Sequence, residues 1–441
     1  MNNNGMQEQT REAPKWLLPR RQVDEVSFCE EFYMHNHLTW MDGYFFSPEG
    51  RVTDENALRR KIYEKLRPWC QQGLANKVDS ILATLRMEAP RYRVDENEEG
   101  TCVFTANGMY NVCESTFSSV KNMCRFRLPV DYNPEAPKPE AWLKFLSELL
   151  YEEDIPTLQE YMGYCLLPST RAQKMLIITG KGGEGKSRIG VVLKSLLGDN
   201  MALNSIAKIE SSPFARADLE HMLLMVDDDL QMDALKQTNY LKSIISAELP
   251  MDLERKGIQS YQGQLYVRFL AFGNDTLQAL HDRSHGFFRR QIILTAREKD
   301  PNRVDDPYLA DWLVAEREGI LLWCIEGLRR LWGQKFRFTQ SRRARHNLLE
   351  SMRRGNNAEE FFQSRGYIQF DPDGCITSKL LYDIYRDWCR DNAVPPLGQN
   401  SLMGHLNQNA TRYSIAHSRS INTGNGKFVR GYNGIRACSR F

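Results

Sequence analysis

An α/β fold built on a largely parallel sheet is what this sequence predicts, and three observations predict it. Short apolar runs, Met175–Thr179, Leu223–Val226, Tyr266–Phe272 and Gln291–Thr295, alternate with helical patterns, as in a sheet whose strands are buried on both faces. A glycine-rich loop, Gly180-Lys-Gly-Gly-Glu-Gly-Lys186-Ser187, lies between the first run and a helical pattern over Ser187–Leu197. The second run ends in three carboxylates, Asp227, Asp228 and Asp229.

The 441 residues suffice for two to four domains, and 41% hydrophobic with 26% charged residues is ordinary globular composition. Residues 1–20 are Asn-rich and then charged, and are expected to be a disordered tail. Residues 21–170 read as a mainly helical region. It holds a helix over Glu55–Pro68, a strand-like segment Thr101–Val112 around an Asn107-Gly108 turn, and a proline-punctuated linker, Pro129–Pro139. Two helical patterns follow, Glu140–Glu152 and Ile155–Cys165; in the first, Trp142, Phe145, Leu146, Leu149 and Leu150 share one face.

Residues 171–335 carry the α/β pattern and end in helices over Asp311–Trp332. Residues 336–354 read as a basic linker, and residues 355–441 as a separate unit. In that unit Ser378–Arg390 and Gln399–Asn409 read as helices around a Pro-Pro-Leu-Gly turn. Tyr413–Ser418 and Phe428–Tyr432 read as strands joined by Thr-Gly-Asn-Gly. Helices followed by a hairpin predict a winged helix. Tyr382, Tyr385 and Trp388 fall at helical spacing and are expected in its core.

Composition excludes some classes. The N-terminus, Met1 to Trp16, has no apolar stretch, and no window reaches the roughly 18 apolar residues of a membrane span, so a cytoplasmic protein is expected. None of the ten cysteines forms a CxxC pair. The even spacing of Cys102, Cys113 and Cys124 lacks the close pair and the histidine a zinc site uses, so reduced cysteines are expected. Net charge is only +2, but from Ser401 to Phe441 there is no Asp or Glu beside Arg412, Arg419, Lys427, Arg430, Arg436 and Arg440. That local imbalance points to nucleic acid.

The loop fits GxxxxGK[ST] between a strand and a helix. Glycines let consecutive N–H groups turn toward phosphate oxygens, and the helix behind them adds its dipole. Gly180, Gly182, Gly183, Glu184, Gly185, Lys186 and Ser187 are therefore the expected phosphate-binding set, with Lys186 on the β- and γ-phosphates and Ser187 on Mg²⁺. Among the acids, Asp227 is assigned to the metal and Asp228 to the attacking water, with Asp229 one register away. Asn274 ends the third run, where an amide can hold that water. Arg289 and Arg290 precede the fourth run, and either can be an arginine inserted into a neighbour's site; Arg290, next to the strand, is favoured.

The order GKGGEGKS, LLMVDDD, FGND, RR resembles the superfamily 3 helicases, compact AAA+-type motors of DNA viruses and mobile elements. More narrowly it resembles the phage/plasmid primase-helicase family, related to satellite-phage and poxvirus proteins. Flanking segments share the likeness: Leu128-Pro-Val-Asp-Tyr-Asn-Pro, Glu160-Tyr-Met-Gly-Tyr-Cys-Leu-Leu-Pro and Leu380-Leu-Tyr-Asp-Ile-Tyr-Arg-Asp-Trp-Cys. The resemblance implies ATP and Mg²⁺ as ligands, a six-membered ring, and Lys256 as a contact to single-stranded DNA. It implies duplex contacts from the winged helix, here Arg412, Arg419, Lys427 and Arg430. A primase and other replication proteins are the implied partners. Three aspartates stand where Asp-Glu or Asp-Asp is usual, and the segment before Thr101 shows no primase signature. Two rivals stay open: an ATP-dependent origin-binding protein that does not unwind, and a small-molecule P-loop kinase.

Overall fold

The computed structural model describes residues 12–92, 100–230, 238–273, 285–355, 357–392, 394, 396–422 and 427–439. Its architecture is mixed α/β around a parallel sheet, and among the described residues no helix is long and apolar enough to cross a membrane.

The N-terminal region is helical with small sheets attached. Strands β1 (Leu17–Leu18) and β2 (Gln22–Val23) form a short ribbon, and β3 (Thr39–Met41), β4 (Tyr44–Ser47) and β5 (Gly50–Arg51) a meander. Helices Glu25–Asn36, Glu55–Leu66 and Leu74–Glu88 pack together through Phe28, Phe32, Leu58, Ile62, Ile81 and Leu85. Asp24 and Asp54 cap the first two by accepting the N–H groups of Ser27 and Asn56. The expectation of a disordered tail through residue 20 is corrected here. Trp16 is buried in this core, edge-on to Phe28 at 5.0 Å, and one large apolar side chain is enough to order the segment around it. A second meander, β6 (Cys102–Thr105), β7 (Gly108–Asn111) and β8 (Thr116–Ser118), turns at Ala106-Asn107. Cys102 and Cys124 are buried beside Phe104, whereas Cys113 is exposed.

Helix Glu140–Leu149 buries Trp142, Phe145, Leu146 and Leu149, the face its sequence spacing marks out. Helix Ile155–Tyr164 crosses Arg317–Gly333 at glycine contacts. A Cβ on Gly163 would meet the Cys324 carbonyl at 2.3 Å, and one on Gly327 the Gln159 carbonyl at 2.4 Å. Nothing larger than glycine fits either crossing point.

The central sheet contains β9 (Met175–Thr179), β10 (Met201–Leu203), β11 (Leu224–Asp227), β14 (Arg268–Gly273) and β15 (Gln291–Thr295). All pairs are parallel, in the order β10-β11-β14-β9-β15. Between β11 and β14 the chain inserts a hairpin of β12 (Met251–Arg255) and β13 (Ile258–Gly263). Apart from Thr295 at its exit, the residues of β9, β11, β14 and β15 are buried, which is why they read as unbroken apolar runs.

Residues 336–354 are corrected from linker to structure. Helix Arg342–Gly355 lies on β15, where Asn347 Nδ2 donates to the Ile293 carbonyl and to Thr295 Oγ1, both at 3.0 Å. Its arginines hide a buried face of Ala344 and Ser351 that covers the sheet edge. Beyond it come helix Asn357–Gln363, β16 (Ile368–Thr377), helices Ser378–Asp391, Gln399–Gln408 and Ala410–Tyr413, then β17 (Ala416–Asn422) and β18 (Phe428–Ala437). The three strands are antiparallel in the order β16-β18-β17. Tyr385 and Trp388 are buried in this unit's core and Tyr382 packs on it.

Candidate functional site

Strand β9 ends at Thr179, and the next seven residues form the glycine-rich loop that leads into helix Ser187–Leu197. Gly182, Gly183 and Gly185 have φ of 104°, 82° and 103°, a backbone region open to glycine and strained for other residues. This lets the loop coil over the end of the sheet. Gly180 N–H donates to the Gly273 carbonyl at 3.1 Å, so β14 ends beside the loop. Asn274, the next residue, lies outside the described residues.

The loop's donors converge on one carboxylate. Glu184 Oε2 accepts from Lys186 Nζ at 2.7 Å, and Glu184 Oε1 accepts the N–H of Gly182 at 2.9 Å and that of Lys181. Both charged side chains are buried, Glu184 to 2% and Lys186 to 6% exposure. Burial alone would raise the Glu184 carboxyl, but the Lys186 ammonium and the loop N–H groups outweigh it and hold it below the usual carboxylate range. Three donors thus converge on one negative charge, an arrangement that can hold an anion.

A cavity of about 970 Å³ opens over this loop. Gly183, Lys186, Ser187 and Asp228 line it together with Lys144, Phe145, Arg303, Val304 and Trp312. Ser187 also lines a neighbouring cavity together with Asp227 and Asp228. Asp228 and Asp229 are exposed, whereas Asp227 is 4% exposed. Asp227 Oδ2 accepts the Ile206 N–H at 2.7 Å, and Oδ1 the Asp229 N–H at 3.3 Å. Burial, partly offset by these bonds, pushes its carboxyl above the usual range.

Arg289 and Arg290 lie at the opposite end of the sheet, just before β15, where the Arg290 carbonyl accepts the Met175 N–H at 2.8 Å. Their environments differ. Arg290 Nη1 donates to the Gly286 carbonyl at 2.6 Å and Nη2 to Ser246 Oγ at 2.9 Å, while the Arg289 side chain is exposed.

Lys256 is exposed in the Lys256-Gly257 turn of the β12–β13 hairpin, with Gly257 at φ 74°. Directly before that turn Arg255 pairs with Glu220 at 2.5 Å, and from the facing strand Tyr261 Oη donates to the same carboxylate at 2.6 Å. Next to Glu220, His221 is buried between the edges of Tyr44 and Phe46, at 5.0 and 6.0 Å between ring centres. Burial, with Arg51 nearby, lowers its pKa to about 3, so the imidazole is neutral.

In the C-terminal unit Arg419 and Arg430 are exposed on β17 and β18 and Lys427 is exposed just before β18; the turn 423–426 lies outside the described residues. The charge imbalance of the tail is smaller than its sequence implies. Arg412 pairs with Glu359 at 2.9 Å and Arg436 with Asp371 at 3.1 Å, acids supplied by earlier parts of the unit.

Sequence reasoning missed Arg303. Its Nη1 donates to the Glu184 carbonyl at 3.1 Å and its Nη2 approaches Asp305 at 3.3 Å, which places a cation inside the loop's cavity. It follows β15 in an irregular polar stretch with no motif, so only tertiary contact reveals it. Phe145 and Trp312 were legible as helix residues but not as cavity walls.

Comparison with known proteins adds two findings. Residues 178–290, which include the loop, the acidic strand end, the hairpin and the paired arginines, match a family of unknown function, DUF5906. The chain is similar to the apo structure of the NrS-1 C-terminal region (305–718), with TM-score 0.52 and 12% identity over 93% of this chain and 99% of that one. The A form apo structure of the same region gives TM-score 0.50 and 12% identity over 92% and 98%. At this identity the likeness is one of fold.

Proposed function

We propose that this chain is an ATP-driven DNA helicase of the superfamily 3 type, serving replication of a phage, plasmid or mobile element and working as a six-membered ring. The observation that carries the reading is the union, in one α/β domain, of a loop after β9 that can seat an anion with a lysine-tipped hairpin inserted before β14. The seat fits a nucleotide's phosphates, and the cavity above it has room for the rest of the molecule. The strand order, with β9 between β14 and β15, agrees with an AAA+-type motor.

In this reading Lys186 holds the outer phosphates, and Asp228, facing the same cavity, orients the attacking water together with Asn274. Ser187 and Asp227 supply the hard oxygen ligands that suit Mg²⁺, which would neutralise phosphate charge. Arg289 takes the role of an arginine inserted into a neighbour's site, because Arg290 is already bonded within its own chain. Lys256 grips phosphates of one DNA strand without reading its bases.

The C-terminal order of helix, strand, two longer helices, a short helix and two strands supports the winged-helix reading, in which Arg419, Lys427 and Arg430 would border the wing. That unit also favours a second reading, an origin-binding protein that uses ATP to assemble. The test is ATP hydrolysis with and without single-stranded DNA. DNA-stimulated turnover that Lys186→Ala abolishes supports the motor; unstimulated turnover, or turnover in folded Lys186→Ala, contradicts it.

A further inference from the structure

The phosphate loop is occupied by its own chain. Three donors that would otherwise greet an incoming anion, the Lys181 and Gly182 N–H groups and the Lys186 ammonium, all bind the Glu184 carboxylate. Two of them, the N–H groups, open the loop, farthest along the chain from helix Ser187–Leu197. The helix N-terminus, with its dipole, favours the inner phosphates of a nucleotide. The carboxylate therefore overlaps the place of the outermost phosphate, where Lys186 must also act.

We propose that Glu184 is a resident competitor for the terminal-phosphate seat, so that a triphosphate binds only by displacing it while a diphosphate leaves it largely in place. This rests on the nucleotide reading of the loop and gives Glu184 a role opposite to that of a simple phosphate ligand. The displaced carboxylate has a partner within reach. Arg303 already donates to the Glu184 carbonyl at 3.1 Å, and its other nitrogen sits in the cavity beside Asp305. Displacement thus exchanges one charged neighbour for another rather than stranding a buried charge. After hydrolysis, return of the carboxylate to Lys186 opposes rebinding of the released phosphate.

A group that fills a site most of the time weakens a ligand in proportion to the fraction of open sites, so a seat open one-tenth of the time weakens binding about tenfold. The experiment measures equilibrium binding of a non-hydrolysable ATP analogue and of ADP, each with Mg²⁺, to the full chain and to Glu184→Gln, Glu184→Ala and Lys186→Ala. Glutamine keeps a carbonyl for the loop N–H groups and loses only the charge on Lys186; alanine empties the seat. The expected result is about tenfold tighter analogue binding in both Glu184 variants with ADP changed less than about twofold. Equal changes for both nucleotides would show that Glu184 only shapes the loop, and unchanged or weaker analogue binding would show that it does not compete; either overturns the proposal. Binding by the unaltered chain that Lys186→Ala destroys keeps the nucleotide reading whatever the Glu184 variants do. Absence of binding by the folded, unaltered chain overturns both.

Discussion

Arg289 and Lys186 stand at opposite ends of the same pair of strands. Arg289 sits in the turn before β15, Lys186 in the loop after β9, and five residues of parallel pairing separate them. Five residues of strand span about 16 Å. The arginine therefore serves a phosphate loop only if that loop belongs to another copy of the chain.

Arg289→Ala should lose turnover by roughly 10³-fold or more. Mixed with Lys186→Ala it should regain part of it, since mixed rings contain some sites with both residues intact. Arg290→Ala should act differently, loosening the anchor to Gly286 and Ser246 and lowering thermal stability. Turnover of wild-type, single-variant and mixed preparations checks this. Absence of complementation by Arg289→Ala removes the shared site.

The neighbouring carboxylates should separate in the same way. Asp228→Asn, at an exposed side chain that lines both cavities, should stop turnover without moving the melting temperature. Asp227→Ala strands the buried Ile206 N–H, which costs about 1–3 kcal/mol, so it should lower both stability and turnover. Paired melting curves and hydrolysis rates decide it. Equal stability of the two variants contradicts the anchoring role of Asp227.

Acid should weaken the joint between β4 and the start of β11. His221 has its pKa lowered to about 3 from 6.5 because burial disfavours the cation, with Arg51 adding to it. Between those values the unfolded chain binds more protons than the folded one. The stabilisation is thus complete above pH 6.5 and falls as pH drops toward 3, by at most about 1.4 kcal/mol per unit. Urea midpoints across that window check it. His221→Asn, which suits the φ of 63° at this position, should flatten the acid limb; an unchanged limb contradicts the assignment.

Removal of the chain after Gly355 should separate DNA anchoring from hydrolysis. The cut spares helix Arg342–Gly355 and its seal on β15, so basal turnover should survive. Duplex affinity should fall. Its log–log salt slope should flatten by about 0.9 for each DNA phosphate that the shortened chain no longer neutralises. An unchanged slope would show that Arg419, Lys427 and Arg430 do not face DNA.

How much was legible depends on the source of each signal. Strands β9, β11, β14 and β15 read from sequence because burial on both faces demands unbroken apolar residues. The β12–β13 hairpin did not read as strands, since Asp252, Glu254, Arg255 and Gln262 are polar and alternate poorly; pairing and the Glu220 contacts hold it. Strand β16 was hidden by Asp371-Pro-Asp-Gly, which the structure absorbs as a register shift between Phe370 and Cys375. Trp16 shows the reverse error, where a polar average concealed one anchoring side chain. Within the candidate site, Lys186, Ser187 and Asp228 were legible as a motif in sequence and share one cavity. The cation at Arg303 reaches the loop through a tertiary contact that no local pattern encodes, whereas Glu184 was legible as a loop residue but not as the acceptor of its neighbours' donors.

The most direct test of the motor reading is strand displacement. A forked duplex with a labelled strand is incubated with the chain, Mg²⁺ and ATP, beside Lys186→Ala and Lys256→Ala. A motor of this kind should release the labelled strand only with ATP. Release should vanish in Lys186→Ala through failed hydrolysis, and in Lys256→Ala with hydrolysis retained. Hydrolysis of ATP by the unaltered chain without any strand release would contradict it.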